Sequence, residues 1–268
     1  MKSFLIIFCF LFVLPVFANN FCDRTNTEIK ELLLNENSRL SFKNNGGLFN
    51  GGVCWWHSRL QRSSIYLVQF APERSIPTED EVWDILKSLR SMNKVVMIPG
   101  FKDFSSFSLA YKPQIQQLLN QWQARDGFIN QQWVRGISGR SSLQPAQLKK
   151  QMDYIFNFFQ ESPLPVWLMA QVKGVTAHAF LLLEMFPLQN GYHLRVIDSN
   201  KPLITRDIFY QHGDTNLTLD DRKYTFIPYT GFQKDFKQIG LAIKSHCPNY
   251  KLELAVGTKV HQGQLEPK

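Results

Sequence analysis

A change of hydrophobic period near residue 161 limits the architecture of this chain more than any other feature. Ahead of it, apolar residues recur at helical spacing. Val82, Ile85, Leu86 and Leu89 follow Thr78 and Glu81, the two polar ends of a capping box, so a helix starts at about residue 79. Leu148, Met152, Ile155, Phe156 and Phe159 mark one side of a helix from Pro145 to Gln160. Asn26 to Glu36 and Pro113 to Arg125 read the same way, as does a segment starting near Cys54 with Trp56, Leu60 and Leu67 on one face. Beyond residue 161 the pattern becomes that of strands: Pro165 to Val172, Val175 to Phe186, Tyr192 to Ile197, Lys223 to Pro228 and Lys251 to Val256, with one helix at about Gln233 to Ile243. Gln189-Asn190-Gly191 joins the second and third strands as a hairpin. Helices first and an antiparallel sheet second define an α+β class, mostly helical over residues 27–161 and mostly β over 162–268.

The N-terminus bears on where the chain works. Lys2 precedes an apolar stretch from Ser3 to Val13, which Pro15 breaks ahead of Val16-Phe17-Ala18. That is the pattern of a signal peptide, residues 1–18, cut after Ala18; an uncleaved anchor is the alternative. The mature chain is then expected to be secreted or periplasmic. No other long apolar run is present, so no integral membrane span is expected once the signal is removed. No linker rich in Pro, Gly or Ser divides the remainder, and residues 19–268 read as one domain large enough to bury a core.

Export places Cys22, Cys54 and Cys247 in a compartment that oxidises thiols. One pair and one free thiol is the simplest solution for an odd number. A Cys22–Cys247 bridge would close nearly the whole mature chain into a loop and stabilise it by roughly 5 kcal/mol. Cys54 would then be the free thiol. The alternatives are an inert buried Cys54, or a bridge from Cys54 that leaves another cysteine over.

Three groups of residues line up as chemistry. Gly51-Gly52-Val53-Cys54-Trp55-Trp56 puts a thiol at a helix N-terminus after a glycine loop, where amides and the macrodipole favour an anion. Thr176-Ala177-His178-Ala179-Phe180 starts an apolar strand with an imidazole between small neighbours. Val196-Ile197-Asp198-Ser199-Asn200 ends the partner strand. A hairpin turning near Gln189 sets His178 opposite Asn200, with Asp198 two residues along on the same face. Either group can accept from the imidazole, while Ser199 points away. A thiol, a base and an orienting acceptor are the parts of nucleophilic acyl transfer. Taken singly, each has a plainer meaning: a structural thiol under two tryptophans, a satisfied core histidine, and ordinary turn chemistry.

Gly-Val-Cys-Trp-Trp, His-Ala-Phe-Leu-Leu-Leu and Val-Ile-Asp-Ser-Asn, in that order, resemble the papain-like cysteine peptidase clan, nearest to its bacterial YopT-type and related secreted families. The likeness covers two patches, residues 46–67 and 174–202. It implies a papain-like α+β fold and a hydrolase of peptide or amide bonds. It implies Cys54 as nucleophile, His178 as general base and acid, and Asp198 as orienter, with Asn200 the substitute. Papain-like enzymes carry a Gln about six residues ahead of the Cys, where this chain has Leu48. Asn50, or else Asn45, is then the expected oxyanion donor beside the Cys54 amide.

No cofactor is implied. Cys54 and His57 are spaced C-x-x-H and His246 adjoins Cys247, but such scattered pairs make a poor zinc set, and no metal is expected. The formal charge of +8 is spread over single Lys and Arg residues, without a motif for nucleic acid. It suits anionic surfaces and acidic proteins instead. The expected partners are a protein or peptide substrate, or a peptide of the cell envelope. A peptidoglycan endopeptidase, a deamidase and a non-catalytic secreted binding protein on the same scaffold are the rival readings.

Overall fold

Where local pattern and long-range pairing agree, the chain forms the elements its spacing predicts. A computed structural model of the protein describes residues 21–47, 52–130, 143–161, 166–171, 177–219, 222–229 and 233–250. The expected signal peptide, Asn50 and the expected strand at Lys251 to Val256 lie outside these residues. The first part holds helices α1 (Asn26–Leu34), α2 (Cys54–Leu67), α3 (Glu79–Ser91), α4 (Phe104–Ala110), α5 (Lys112–Asn130) and α6 (Pro145–Glu161). Helix α3 begins at the capping box: the Thr78 hydroxyl accepts from the Glu81 amide, and the Glu81 carboxylate accepts from the Thr78 amide at 2.7 Å.

This part is not wholly helical. Strands β1 (Val68–Ala71) and β2 (Val96–Pro99) pair in parallel, from Val68 opposite Val96 to Ala71 opposite Pro99, with α3 as the crossover. Residues 68–71 continue the apolar run of α2 without a break. Periodicity alone does not separate a short buried strand from the end of a buried helix.

The second part holds β3 (Val166–Gln171), β4 (Ala177–Leu188), β5 (Gly191–Asp198), β6 (Thr205–Gln211), β7 (Leu217–Leu219) and β8 (Arg222–Tyr229), then helix α7 (Gln233–His246). The strands pair antiparallel in sequence order, and β3 closes on β8 to form a barrel. The β4–β5 hairpin turns through Gln189 and Asn190, with Leu188 opposite Gly191. A Cβ on Gly191 would lie 1.9 Å from the Tyr210 carbonyl oxygen, so glycine is required where β6 passes. Strands β6 and β7 carry no turn signal as plain as Asn-Gly and add two members beyond the expected sheet.

Helix α2 lies between the two parts. Leu60, Arg62, Ser63 and Leu67 on it are fully buried. Ser58 Oγ donates to the Ala179 carbonyl of β4 at 3.2 Å. On the other side Arg59 Nε meets the buried Asp235 of α7 at 3.0 Å, and Arg62 pairs with the same carboxylate. The apolar side chains of the helices and the barrel merge in one cluster, from Ile29 and Leu33 through Leu60 and Phe180 to Ile243. Cys22 and Cys247 form a disulfide with a Cα–Cα distance of 5.5 Å, tying the N-terminal segment to the end of α7. Among the described residues no helix is long and apolar enough to cross a membrane.

Candidate active site

Cys54 is the first residue of α2 and remains a free thiol. It is 9 % exposed, so the sulfur sits just below the surface. The preceding turn is built for close approach. Gly52 has φ +86, and a Cβ there would lie 2.3 Å from Asn44 Oδ1. Val53 occupies the N-cap without a side chain able to cap.

His178 stands near the start of β4, opposite Ala170 of β3. Strand β5 ends at Asp198, opposite Phe180. Register decides whether the two side chains meet. Near the turn the pairs run from Leu188 with Gly191 to Glu184 with Arg195. Continued without a break, that register would set Asp198 opposite Leu181, on the face away from His178. A bulge between Leu182 and Glu184 shifts the pairing by one residue. Asp198 therefore lands on the His178 face, one pair further in. Asn200 lies past the strand end, in the following turn.

The short contact is to the carboxylate. His178 Nε2 lies 2.7 Å from Asp198 Oδ1, whereas Asn200 Nδ2 is 3.5 Å from the same nitrogen. Because a carboxylate only accepts, Nε2 carries the proton, and the Nδ1 edge is left for sulfur. The imidazole is hydrogen-bonded to Cys54 as well. Asp198 is 1 % exposed and fully engaged: Oδ1 also accepts from the Asn200 amide at 2.8 Å, and Oδ2 from Arg206 Nη1 at 2.5 Å.

Burial on its own lowers the His178 imidazole, but the Asp198 hydrogen bond and the Cys54 sulfur outweigh it and push the group up to about 9. Burial likewise works to raise Asp198, yet His178, the Asn200 amide and Arg206 hold it below the usual carboxylate range. The ring is thus held as an imidazolium between two sulfur- and oxygen-based acceptors over most of the neutral range.

Two residues of the site, Asn44 and Arg206, have no functional reading from spacing alone, and a third, His57, has only that of a poor zinc ligand. Asn44 joins the Val53 amide to the Asn200 side chain. Arg206 sits on β6, a strand with no plain local signal. His57, one turn along α2, is fully buried, and its Nε2 donates to the Phe42 carbonyl at 2.8 Å. That bond occupies the Nε2 edge of His57 with a main-chain acceptor. Cys22, His246 and Cys247 bring ligand atoms within 4.8 Å of one another, but the two sulfurs are spent in the disulfide. Trp55 and Trp56 stack at 6.0 Å beside Cys54, with Trp56 Nε1 donating to Asp126 at 2.9 Å. Asn45 lies on the loop that leads to α2, and its carbonyl accepts from Gln116.

Compared with family models, curated proteins and solved structures, the chain gives no match to any of them.

Proposed function

We propose that the protein is an exported thiol hydrolase of papain-like fold that cleaves peptide or amide bonds. One observation carries this reading: the hydrogen-bonded line from Cys54 through His178 to Asp198, assembled where the first turn of a buried helix meets the end of a β-hairpin. His178 holds the proton of Cys54 in a thiolate–imidazolium pair, and the thiolate attacks the substrate carbonyl. The developing oxyanion falls to the Cys54 main-chain amide, with Asn50 the second donor expected from the sequence. The imidazolium then protonates the leaving amine, and water attacks the thioester to release the acyl group and regenerate the thiol. Asp198 keeps Nε2–H oriented throughout and stabilises the charged ring.

Cys54→Ala should abolish hydrolysis of a quenched peptide library and all labelling of the native protein by iodoacetamide, with the far-UV spectrum unchanged. Hydrolysis that persists in this variant would refute the assignment. The low exposure of Cys54 favours a second reading, a non-catalytic binding protein on the same scaffold. That reading requires alkylation only after unfolding.

A further inference from the structure

We propose that Asn44 is the positioning residue of this site: the two ends of its side-chain amide hold the first turn of α2, and with it Cys54, in register with the residues that flank His178. The inference rests on reading Cys54 and His178 as the reacting pair. The two residues come from distant parts of the chain, so something must set their separation. Ser58 ties α2 to β4 one turn further in, but the N-cap residue Val53 has no side chain to anchor the helix end itself.

Asn44 supplies that anchor. Its Oδ1 accepts from the Val53 amide at 2.6 Å. Its Nδ2 donates to Asn200 Oδ1. Its own amide donates to the Ser199 carbonyl at 2.8 Å. The direction of this relay is not arbitrary. A main-chain N–H can only donate, so Val53 forces Oδ1 of Asn44 toward the helix. Nδ2 must then face Asn200, which must present its oxygen in reply. The Asn200 Nδ2 then lies 3.5 Å from His178 Nε2, beside it but not bonded to it, because Nε2 already donates to Asp198. The Asn200 amide meanwhile donates to Asp198 Oδ1. One unflippable backbone group orients two side-chain amides in series, and the Asn200 main chain carries the link to the carboxylate that holds His178.

The surrounding chain is shaped to admit this amide. Gly52, with φ +86, passes so close that any Cβ would overlap Asn44 Oδ1. Among the described residues, the titratable and charged groups around the His178 ring are Cys54, Asp198, His57 and Arg206. Asn44 adds no charge to them, so its effect is one of placement.

The test measures the initial rate of iodoacetamide alkylation of Cys54 in the full chain, and the titration of His178 by NMR. Asn44→Ala should slow alkylation about tenfold, as one lost anchoring hydrogen bond implies. It should also move the His178 titration down by about one unit, as the contact with sulfur loosens. Asn200→Ala should slow alkylation less, and should add nothing in the Asn44→Ala background, because both break one relay. Asn44→Asp, which keeps the acceptor for Val53, should recover part of the rate. Alkylation of Asn44→Ala within about twofold of the starting protein, with His178 titrating unchanged, overturns the proposal, since one hydrogen bond exceeds that margin. So do effects of Asn44→Ala and Asn200→Ala that simply multiply. If Asn44→Ala does not fold, Asn200→Ala decides, and alkylation within about twofold of the starting protein with His178 titrating unchanged overturns the proposal. Neither readout needs a substrate, so failure here is distinct from hydrolysis surviving in Cys54→Ala.

Discussion

Two histidines flank Cys54, His57 fully buried and His178 partly so, and they are driven in opposite directions. His57 lies about one turn along α2 from Cys54, its Nε2 on the Phe42 carbonyl. His178 lies beside the thiol on β4, its Nε2 on the Asp198 carboxylate. The bond lengths are nearly equal, at 2.8 and 2.7 Å. Burial pushes His57 down to about 4, with the Phe42 carbonyl too weak an opponent. His178 meets burial as well, yet the carboxylate and sulfur push it up to about 9. Burial therefore does not decide which imidazole is charged; the formal charge of its partner does. A neutral dipole orients a ring, whereas a carboxylate also keeps its proton. One histidine can serve as packing and the other as acid and base, two residues of the same type within one site.

Removing the charge of Asp198 should break this contrast most severely. Asp198→Asn keeps the shape of the side chain but takes away its charge and one acceptor. The His178 titration should fall from about 9, and the alkaline limb of kcat/KM should move to lower pH with it. Hydrolysis should drop on the order of 10³-fold. An alkaline limb that stays in place would show that the carboxylate does not hold the proton.

The second comparison is thermodynamic. The unfolded chain protonates His57 near its ordinary 6.5, while the folded chain resists until about 4. The unfolded state thus binds more protons in this window, and stability falls as pH drops from 6.5 to 4. The loss from His57 is about 3 kcal/mol. His178 has the opposite sign: its contribution is complete below 6.5 and is lost as pH rises through about 9. His57→Gln keeps a donor for Phe42 but takes up no proton. It should flatten the acid side of a denaturation series and leave the alkaline side as it was. An acid limb that remains as steep would assign it to other groups.

The smallest expected effect lies far from both rings. Thr78→Ala removes the α3 cap and should cost about 1 kcal/mol without altering Cys54 alkylation or either histidine titration. A change in the titrations would mean that the two imidazoles respond to general loosening, and the contrast between their partners would lose its meaning.

Much of this architecture can be read from short stretches of chain. The Thr78–Glu81 box, the helical start at Cys54 and the Asn190-Gly191 turn each rest on contacts within a few residues. So does the switch from helical to alternating pattern that separates α6 from β3. The site is less legible. Its three central residue types stand out in order along the chain, but Arg206 lies on a strand that local pattern does not announce, and Asn44 looks like one more polar loop residue. Strand β1 is hidden in the apolar run after α2 for the same reason: buried helix and buried strand look alike over four residues.

From the chain alone follow the α+β class, the hairpin that carries His178 and Asp198, and the thiol at a helix start, because propensity, capping and turn chemistry act over a few residues. The hairpin count puts Asp198 on the His178 face, but only the fold shows that a bulge between Leu182 and Glu184 is what brings it there. The fold also settles which carboxylate Arg206 neutralises, and that Asn44 reaches Asn200 across 156 residues. Those outcomes depend on register and on packing between distant segments, where a shift of one residue reverses a side chain's direction and no local spacing records the choice.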